Sequence, residues 1–546
     1  MPKQDPRKPG HAAVAHVLPL ALAAITLALL ITPLWTLASA IVNDIGTFPD
    51  SVLSAPRITL LLRSLLTVSI IALIATLTAY PIARVLVARR TRRARALSAL
   101  LLCPIWLPPF MIYAAGNLLR APDTIAGRAL IDFATSSPDL RWVTIWAGYA
   151  IAVLGLALWS APVTAVLIAS GWGAKSGVYD DMIALEPIGR ARRALFNLRL
   201  HRAILTRAFL LIAILMLGSA VPLHLAQLDT WSIVIWRQLT EHPPQQWGRI
   251  WVSALPMIVI AFMGARFVLT ILSERNAHEE PITVPPRASA PSTLTAALVF
   301  ALAVLTPLIA MAASLDDPRS ITHFWQRNAG AVADTSRTAM LVAATALLIA
   351  LASAFSFSSP VRSHNRIAKA ALLALCVLGL MPGVLIGAAI ARAGIIGLDL
   401  QQAAPYWASL TRYAFIAAII GALCASSESP DRRSARVQIA GPSPRAWIIA
   451  TLPTFIRPLL ATLPIVFLLA MFEIESAVLV TPPGIDSLPQ QLLSDLHFAR
   501  LEQLSAAGVN LLSLGIIFSL VASLLLTRAA RSTETATEPH RPGNHI

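Results

Sequence analysis

Charge is scarce in this chain. Asp, Glu, Lys and Arg together make up only 13% of 546 residues, while 56% are hydrophobic and the mean hydropathy is +0.70. That balance excludes a string of soluble domains and points to a membrane protein. Acidic residues are the scarcer sign, 27 against 43 Lys and Arg, for a net charge of +16. In a soluble chain that excess would suggest nucleic acid, but here loop sorting accounts for it. With the N-terminus inside, about 30 of the 43 basic residues fall on cytoplasmic loops and edges, as the positive-inside rule requires. Cysteine is scarcest. Cys103, Cys376 and Cys424 all sit in apolar runs without paired spacing or histidine neighbours, which excludes a disulfide framework and a zinc site. The eleven histidines are scattered, no metal-ligand or catalytic constellation is visible, and no enzyme is expected.

Long apolar runs are what the chain has instead. A bilayer span needs roughly 20 apolar residues, and the chain supplies about twelve such runs. The expectation is an all-α polytopic membrane protein of the plasma (inner) membrane, with two tandem homologous six-helix halves and both termini inside. The first run, about Val17 to Val42, is too long for a signal-peptide core and reads as a retained anchor. The parts are a cytoplasmic lead (1–16), a first half (17–272), a Pro-rich linker (273–293), a second half (294–527) and a disordered cytoplasmic tail (528–546). Spans five and eleven are expected near 203–225 and 454–479. Arg84 to Arg95 form the densest basic cluster and mark the inner face, with affinity for anionic lipid. Arg63 and Arg412, near the outer ends of their spans, are expected to snorkel.

One short stretch occurs twice. GPSPRAWIIATLP (Gly441 to Pro453) lies without a gap over GRARRALFNLRLH (Gly189 to His201), each between the fourth and fifth spans of its half. Agreement of position and sequence indicates an internal duplication. Gly441 provides a turn, Pro444 can open a helix, and Trp447, Ile448 and Leu452 can form the apolar face of a short cytoplasmic helix. A helix so placed between two spans would act as a lever. A second repeat pairs LPPFMIYAAG (Leu107 to Gly116) with LMPGVLIGAAI (Leu380 to Ile390), putting proline beside small residues that let membrane helices approach closely.

The duplicated loop resembles that of the membrane subunits of type I ABC importers, whose signature runs Glu-Ala-Ala, Gly-Ala-Ser, a hydrophobic stretch and Leu-Pro. FEIESAVLVTPPGIDSLPQQLLSDLHF (Phe472 to Phe498) is similar to a segment of fused two-half permeases of the ferric-iron and thiamine type, and SAVPLHLAQLDTWSIVIW (Ser219 to Trp236) occupies the equivalent place in the first half. Neither half carries an intact Glu-Ala-Ala. The resemblance implies ATPase-coupling loops over about 176–202 and 428–453, with contacts through Glu186, Gly189, Arg193, Leu195 and Leu200 in one, and Gly441, Ser443, Arg445, Trp447, Leu452 and Pro453 in the other. It also implies two ATPase subunits as partners, an extracytoplasmic solute-binding protein, and ATP and Mg held by the ATPase, with no cofactor on this chain. Ferric iron or thiamine would be the cargo.

Glu473, Glu475, Pro108 and Pro382 are the candidates for a solute path. A charge at mid-membrane costs roughly 2.5–3.5 kcal/mol on insertion scales, so two carboxylates there imply a polar cavity, unless they sit at the water boundary or bind a neighbouring helix. Two other classes compete with an importer. A twelve-span secondary transporter of the facilitator class should carry a Gly-rich turn with Asp between spans two and three, where Arg84 to Arg95 contains neither residue. A membrane enzyme or scaffold would need clustered polar residues within the spans.

Overall fold

The computed structural model describes residues 16–88, 92–122, 124–140, 142–171, 182–183, 185, 189–225, 228–243, 246–278, 289–395, 403–441, 443–482, 484–485 and 487–537. Among these, the elements are helical throughout. In chain order the first half forms α1 (Val17–Asp44), α2 (Ala55–Val87), α3 (Arg92–Leu100), α4 (Pro109–Leu118), α5 (Ile125–Thr135), α6 (Trp142–Ser170), α7 (Arg190–Leu200), α8 (Arg202–Leu217), α9 (Val221–Leu225), α10 (Trp231–Glu241), α11 (Trp247–Ser253) and α12 (Leu255–His278). The second half forms α13 (Ala290–Phe300), α14 (Thr306–Ala313), α15 (Ser320–Ser358), α16 (Arg362–Leu380), α17 (Gly383–Ile395), α18 (Ala404–Ser426), α19 (Pro430–Ala440), α20 (Pro444–Ala450), α21 (Leu452–Leu460), α22 (Thr462–Met471), α23 (Leu488–His497) and α24 (Leu501–Thr537).

Nine of the described helices are long and apolar enough to cross a membrane, and the number rises to 12 if each of three sharply bent pairs is one span. The protein is an all-α, multi-pass membrane protein. Pro33, Pro81 and Pro162 lie inside spanning helices, where neighbouring helices can satisfy the carbonyls that proline frees. The bends have a sequence cause. Pro108 and Pro109 separate Ala96–Trp106 from Pro109–Leu118 at 90°, and Pro382 separates Arg362–Leu380 from Gly383–Ala393 at 102°, because proline removes a donor and clashes with the preceding turn.

Four expectations need correction. Span five is helical only to Leu217, and Ser219 and Ala220 break it before α9. Span eleven ends at Met471, short of 479, so Glu473 and Glu475 lie in non-helical chain. Helix α24 continues to Thr537, well into the tail expected to be disordered, and α12 and α13 run into both ends of the linker. The remaining linker residues, 279–288, lie outside the described residues.

The chain divides into two compact units, and the division exchanges helices between the halves. Unit one comprises Met1–Ile70, Leu210–Glu280 and His323–Arg500, and unit two comprises Ile71–Phe209, Pro281–Thr322 and Leu501–Ile546. Unit one therefore takes the first span, the start of the second, most of the fifth and the sixth span of the first half, together with the four inner spans of the second. Unit two takes the rest of the second span, the third and fourth and the start of the fifth, together with the first and last spans of the second half.

Within unit one, α15 presents Ala339, Ala343, Ala346, Ala350 and Ala354 as a buried stripe at helical spacing. Small residues allow the close helix approach that packing in lipid needs. Unit two has its own core, in which Ala79, Ile82 and Ala83 of α2 meet Ala161 and Ala165 of α6 and Val299 of α13. There the Trp106 and Phe518 rings stack 5.0 Å apart, and Ser314 Oγ donates to Ser505 Oγ at 2.7 Å.

Candidate functional site

Where helix α22 ends, the sequence places two carboxylates and the fold places their partners. Arg412 and Tyr413 come from α18, Met381 from the break between α16 and α17, and Ser219 to Val221 from the break in span five, all within unit one. One oxygen of Glu475 accepts from the Ala220 amide at 2.7 Å, the Val221 amide at 3.4 Å and the Ser219 hydroxyl at 3.3 Å. Its other oxygen faces Arg412 Nη2 at 3.4 Å, with both side chains 11% exposed. Arg412 also donates to the Met381 carbonyl. Glu473, 6% exposed, accepts from the Tyr413 hydroxyl and, at 2.6 Å, from the Ser476 amide.

Each contact follows from a local feature. A broken helix leaves amides without a carbonyl partner, and Glu475 supplies one to Ala220 and Val221. The carbonyl of Met381, left free where α16 stops, receives the guanidinium. On α17, Gly387 keeps the approach open, because a Cβ there would stand 2.5 Å from the Ser476 carbonyl oxygen. A buried carboxylate is tolerable only when paired and hydrogen-bonded, and here both conditions hold.

The structure therefore brings Glu473, Glu475 and Pro382 together, while Pro108, which precedes α4, belongs to unit two. The snorkelling expected of Arg412 is corrected: it turns inward to an anion. Tyr413 and Arg412 were missed as site residues. Proximity of Arg412-Tyr413 to two carboxylates some sixty residues later in the chain is a tertiary fact with no local pattern.

The two breaks are related by sequence. Ser219-Ala220-Val221 and Ser476-Ala477-Val478 are identical tripeptides, each twelve residues before the first residue of a short helix, Trp231 of α10 or Leu488 of α23. The duplication reaches further into the contacts. The Trp231 amide donates to Ser64 Oγ at 2.8 Å, and the Leu488 amide to Thr335 Oγ1 at 2.9 Å. Ser64 and Thr335 lie on the second spanning helix of their respective halves.

The duplicated loops are less alike. In the second, Gly441 at φ +68° turns the chain between α19 and α20, a conformation glycine adopts without penalty. Ser443 caps α20, its hydroxyl accepting from the Ala446 amide at 3.2 Å. Trp447 is 1% exposed, with its ring edge-on to Phe355 at 5.7 Å. Of the apolar face expected from Trp447, Ile448 and Leu452, Trp447 is buried, Leu452 is half-buried and Ile448 is exposed, as are Ile449, Arg445 and Pro453. In the first loop Gly189 precedes a single helix, α7, with Leu195 and Leu200 exposed and Arg193 half-buried. Glu186 lies outside the described residues.

A further residue, Glu428, holds the second loop and was not anticipated. Its fully buried carboxylate accepts from Arg436 Nε and Nη2 at 3.2 Å, Arg433 Nε at 3.4 Å and Thr451 Oγ1 at 3.0 Å. Arg436 Nη2 continues to the Ser358 carbonyl at 3.1 Å. One carboxylate thus ties the start of the loop to its end and to α15. Among the described residues no group of His, Cys, Asp or Glu could hold a metal ion.

Comparison with known proteins adds little. No family model matches the chain, and neither does any curated protein. A solved structure of a bacterial homologue of the human drug peptide transporters PepT1 and PepT2 matches with 13% identity over 86% of this chain and 99% of its own, at a TM-score of 0.15. A TM-score that low says nothing about the fold. These findings correct the family expectation: no family model and no curated protein supports an ABC importer permease. The ATPase subunits, the binding protein and the ferric-iron cargo rested on that resemblance and are withdrawn with it. What stands is a polytopic, all-α membrane protein.

Proposed function

We propose that the chain is a secondary transporter that moves a small solute across the plasma membrane without ATPase subunits, with Arg412, Tyr413, Glu473 and Glu475 as its working centre. One observation carries the reading: an ion pair and a second carboxylate are buried where the spans lose their helical hydrogen bonds. Ionisable groups within membrane segments are costly and mark substrate or proton pathways. Proline-interrupted segments at corresponding positions of two repeats point to a transporter binding site, and Pro108 and Pro382 interrupt the third span of each half. The chain itself would do no covalent chemistry and would need no bound cofactor. Because Arg84 to Arg95 lacks the facilitator turn, the proposal concerns the mode of transport and not membership of that class.

The test is uptake by proteoliposomes holding only this chain, with solute gradients imposed and no nucleotide. Uptake of a small solute that disappears with Arg412→Ala is expected. If solute moves only after an ATPase and ATP are added, the reading fails.

A further inference from the structure

The two Ser-Ala-Val breaks are duplicates that have become complementary. Glu475 stands where the first half has Gly218, directly before the tripeptide. The first break offers two backbone amides and a hydroxyl, and the second sends a carboxylate to them. We propose that this contact is the gate of the transporter: Glu475 seated on Ser219 to Val221 is the closed state, and the path opens when the carboxylate leaves those amides. The gate rests on the transport reading above only in taking the breaks to border the solute path.

Three features favour a contact that opens over one that is merely structural. The closure is made by one carboxylate oxygen with two backbone amides and the Ser219 hydroxyl, which separate without dismantling an apolar core. The carboxylate has a second partner, Arg412 at 3.4 Å, which would keep it paired after release. Finally, Ser476 is fully buried, yet its hydroxyl has no hydrogen-bond partner, whereas the hydroxyl of its duplicate Ser219 is bonded to Glu475. A buried polar atom without a partner requires an explanation. A contact with two arrangements provides one, since the group unsatisfied in one state is available to the other.

The test reads the gate directly in the full-length chain in nanodiscs, without solute or nucleotide. Hydrogen exchange at Ala220 and Val221 should be slow in the wild type and about tenfold or more faster in Glu475→Ala, while Trp231 and Leu488 keep their protection, because exchange reports local opening. In parallel, Ser476→Cys should react with a membrane-impermeant maleimide about tenfold faster when Glu475→Ala is added, since thiol reactivity follows access. The native cysteines are buried and give little background. Glu475→Gln, which keeps an acceptor for the amides but loses the charge, should fall between the two.

Unchanged exchange and labelling in Glu475→Ala would overturn the gate. If that variant loses protection everywhere, it has unfolded, and Glu475→Gln decides: faster exchange confined to Ala220 and Val221 supports the gate, and unchanged exchange there overturns it. A gate that responds in a chain that moves no solute without ATP would leave the gate standing and sink secondary transport. Solute uptake with an unresponsive contact would do the reverse.

Discussion

The break after α8 and the break after α22 share a tripeptide and a place in the repeat, yet one is neutral and the other carries two buried carboxylates. Gly218 has ordinary van der Waals room beside Met381 and Pro382, its nearest neighbours lying 3.5 Å from where a Cβ would be. Gly387, beside the second break, has none. The difference shows how a duplicated fold acquires a centre. Both copies leave donors unsatisfied where the helix stops, but only one has gained the anions that answer them, and it answers those of its twin.

The comparison breaks most sharply at Arg412. Arg412→Ala leaves Glu475 and Glu473 buried without a cation, and removing one partner of a buried pair costs about 3–5 kcal/mol. Unfolding in mixed micelles should show that loss, and a cost below about 1 kcal/mol would mean that water reaches the site.

Next come the two glycines. Gly387→Ala should cost about 1–3 kcal/mol, because backbone must shift to admit the methyl group. Gly218→Ala should stay within about 0.5 kcal/mol, as substitutions with room to spare do. Equal costs would erase the asymmetry between the breaks. The hydroxyl clasps sharpen the opposite point, that some contacts survived duplication intact. Ser64→Ala and Thr335→Val each leave one amide unsatisfied, and each should cost about 1–3 kcal/mol, with faster exchange at Trp231 and Leu488 respectively.

The smallest effect concerns pH. His224, on α9 outside the spans, is held below the usual histidine range first by burial and then by Arg237 and His497, with Asp229 opposing. Its folded value is depressed, so the unfolded chain binds the proton more readily. Its contribution to stability is therefore complete above the ordinary histidine range and is lost as pH falls through about 6.5. His224→Gln should flatten that part of a stability profile and leave the rest unchanged.

Much of the architecture was legible from periodicity and composition. The apolar runs, the loop charges and the twice-written loop are local signals, and helices in lipid must satisfy their backbone internally, so a long apolar run has few alternatives. Proline also marked where spans three and nine bend. Glu473 and Glu475 stood out because a carboxylate at that depth has to be explained. Arg412 and Glu428 were misread or missed because each looks, within its own segment, like a charge at the end of a span. An amphipathic pattern put Trp447 on an apolar face with Ile448 and Leu452, but such a pattern does not say what each of those side chains meets.

By itself, then, the sequence determined that this is a helical membrane protein with two related halves, since hydropathy and repetition are properties of consecutive residues. Only the tertiary structure decided which spans of one half join those of the other, and that the carboxylate of one break seats on the amides of its duplicate. Those outcomes depend on pairing groups far apart in the chain, where low dielectric makes a partner necessary but nothing local says which one it will be.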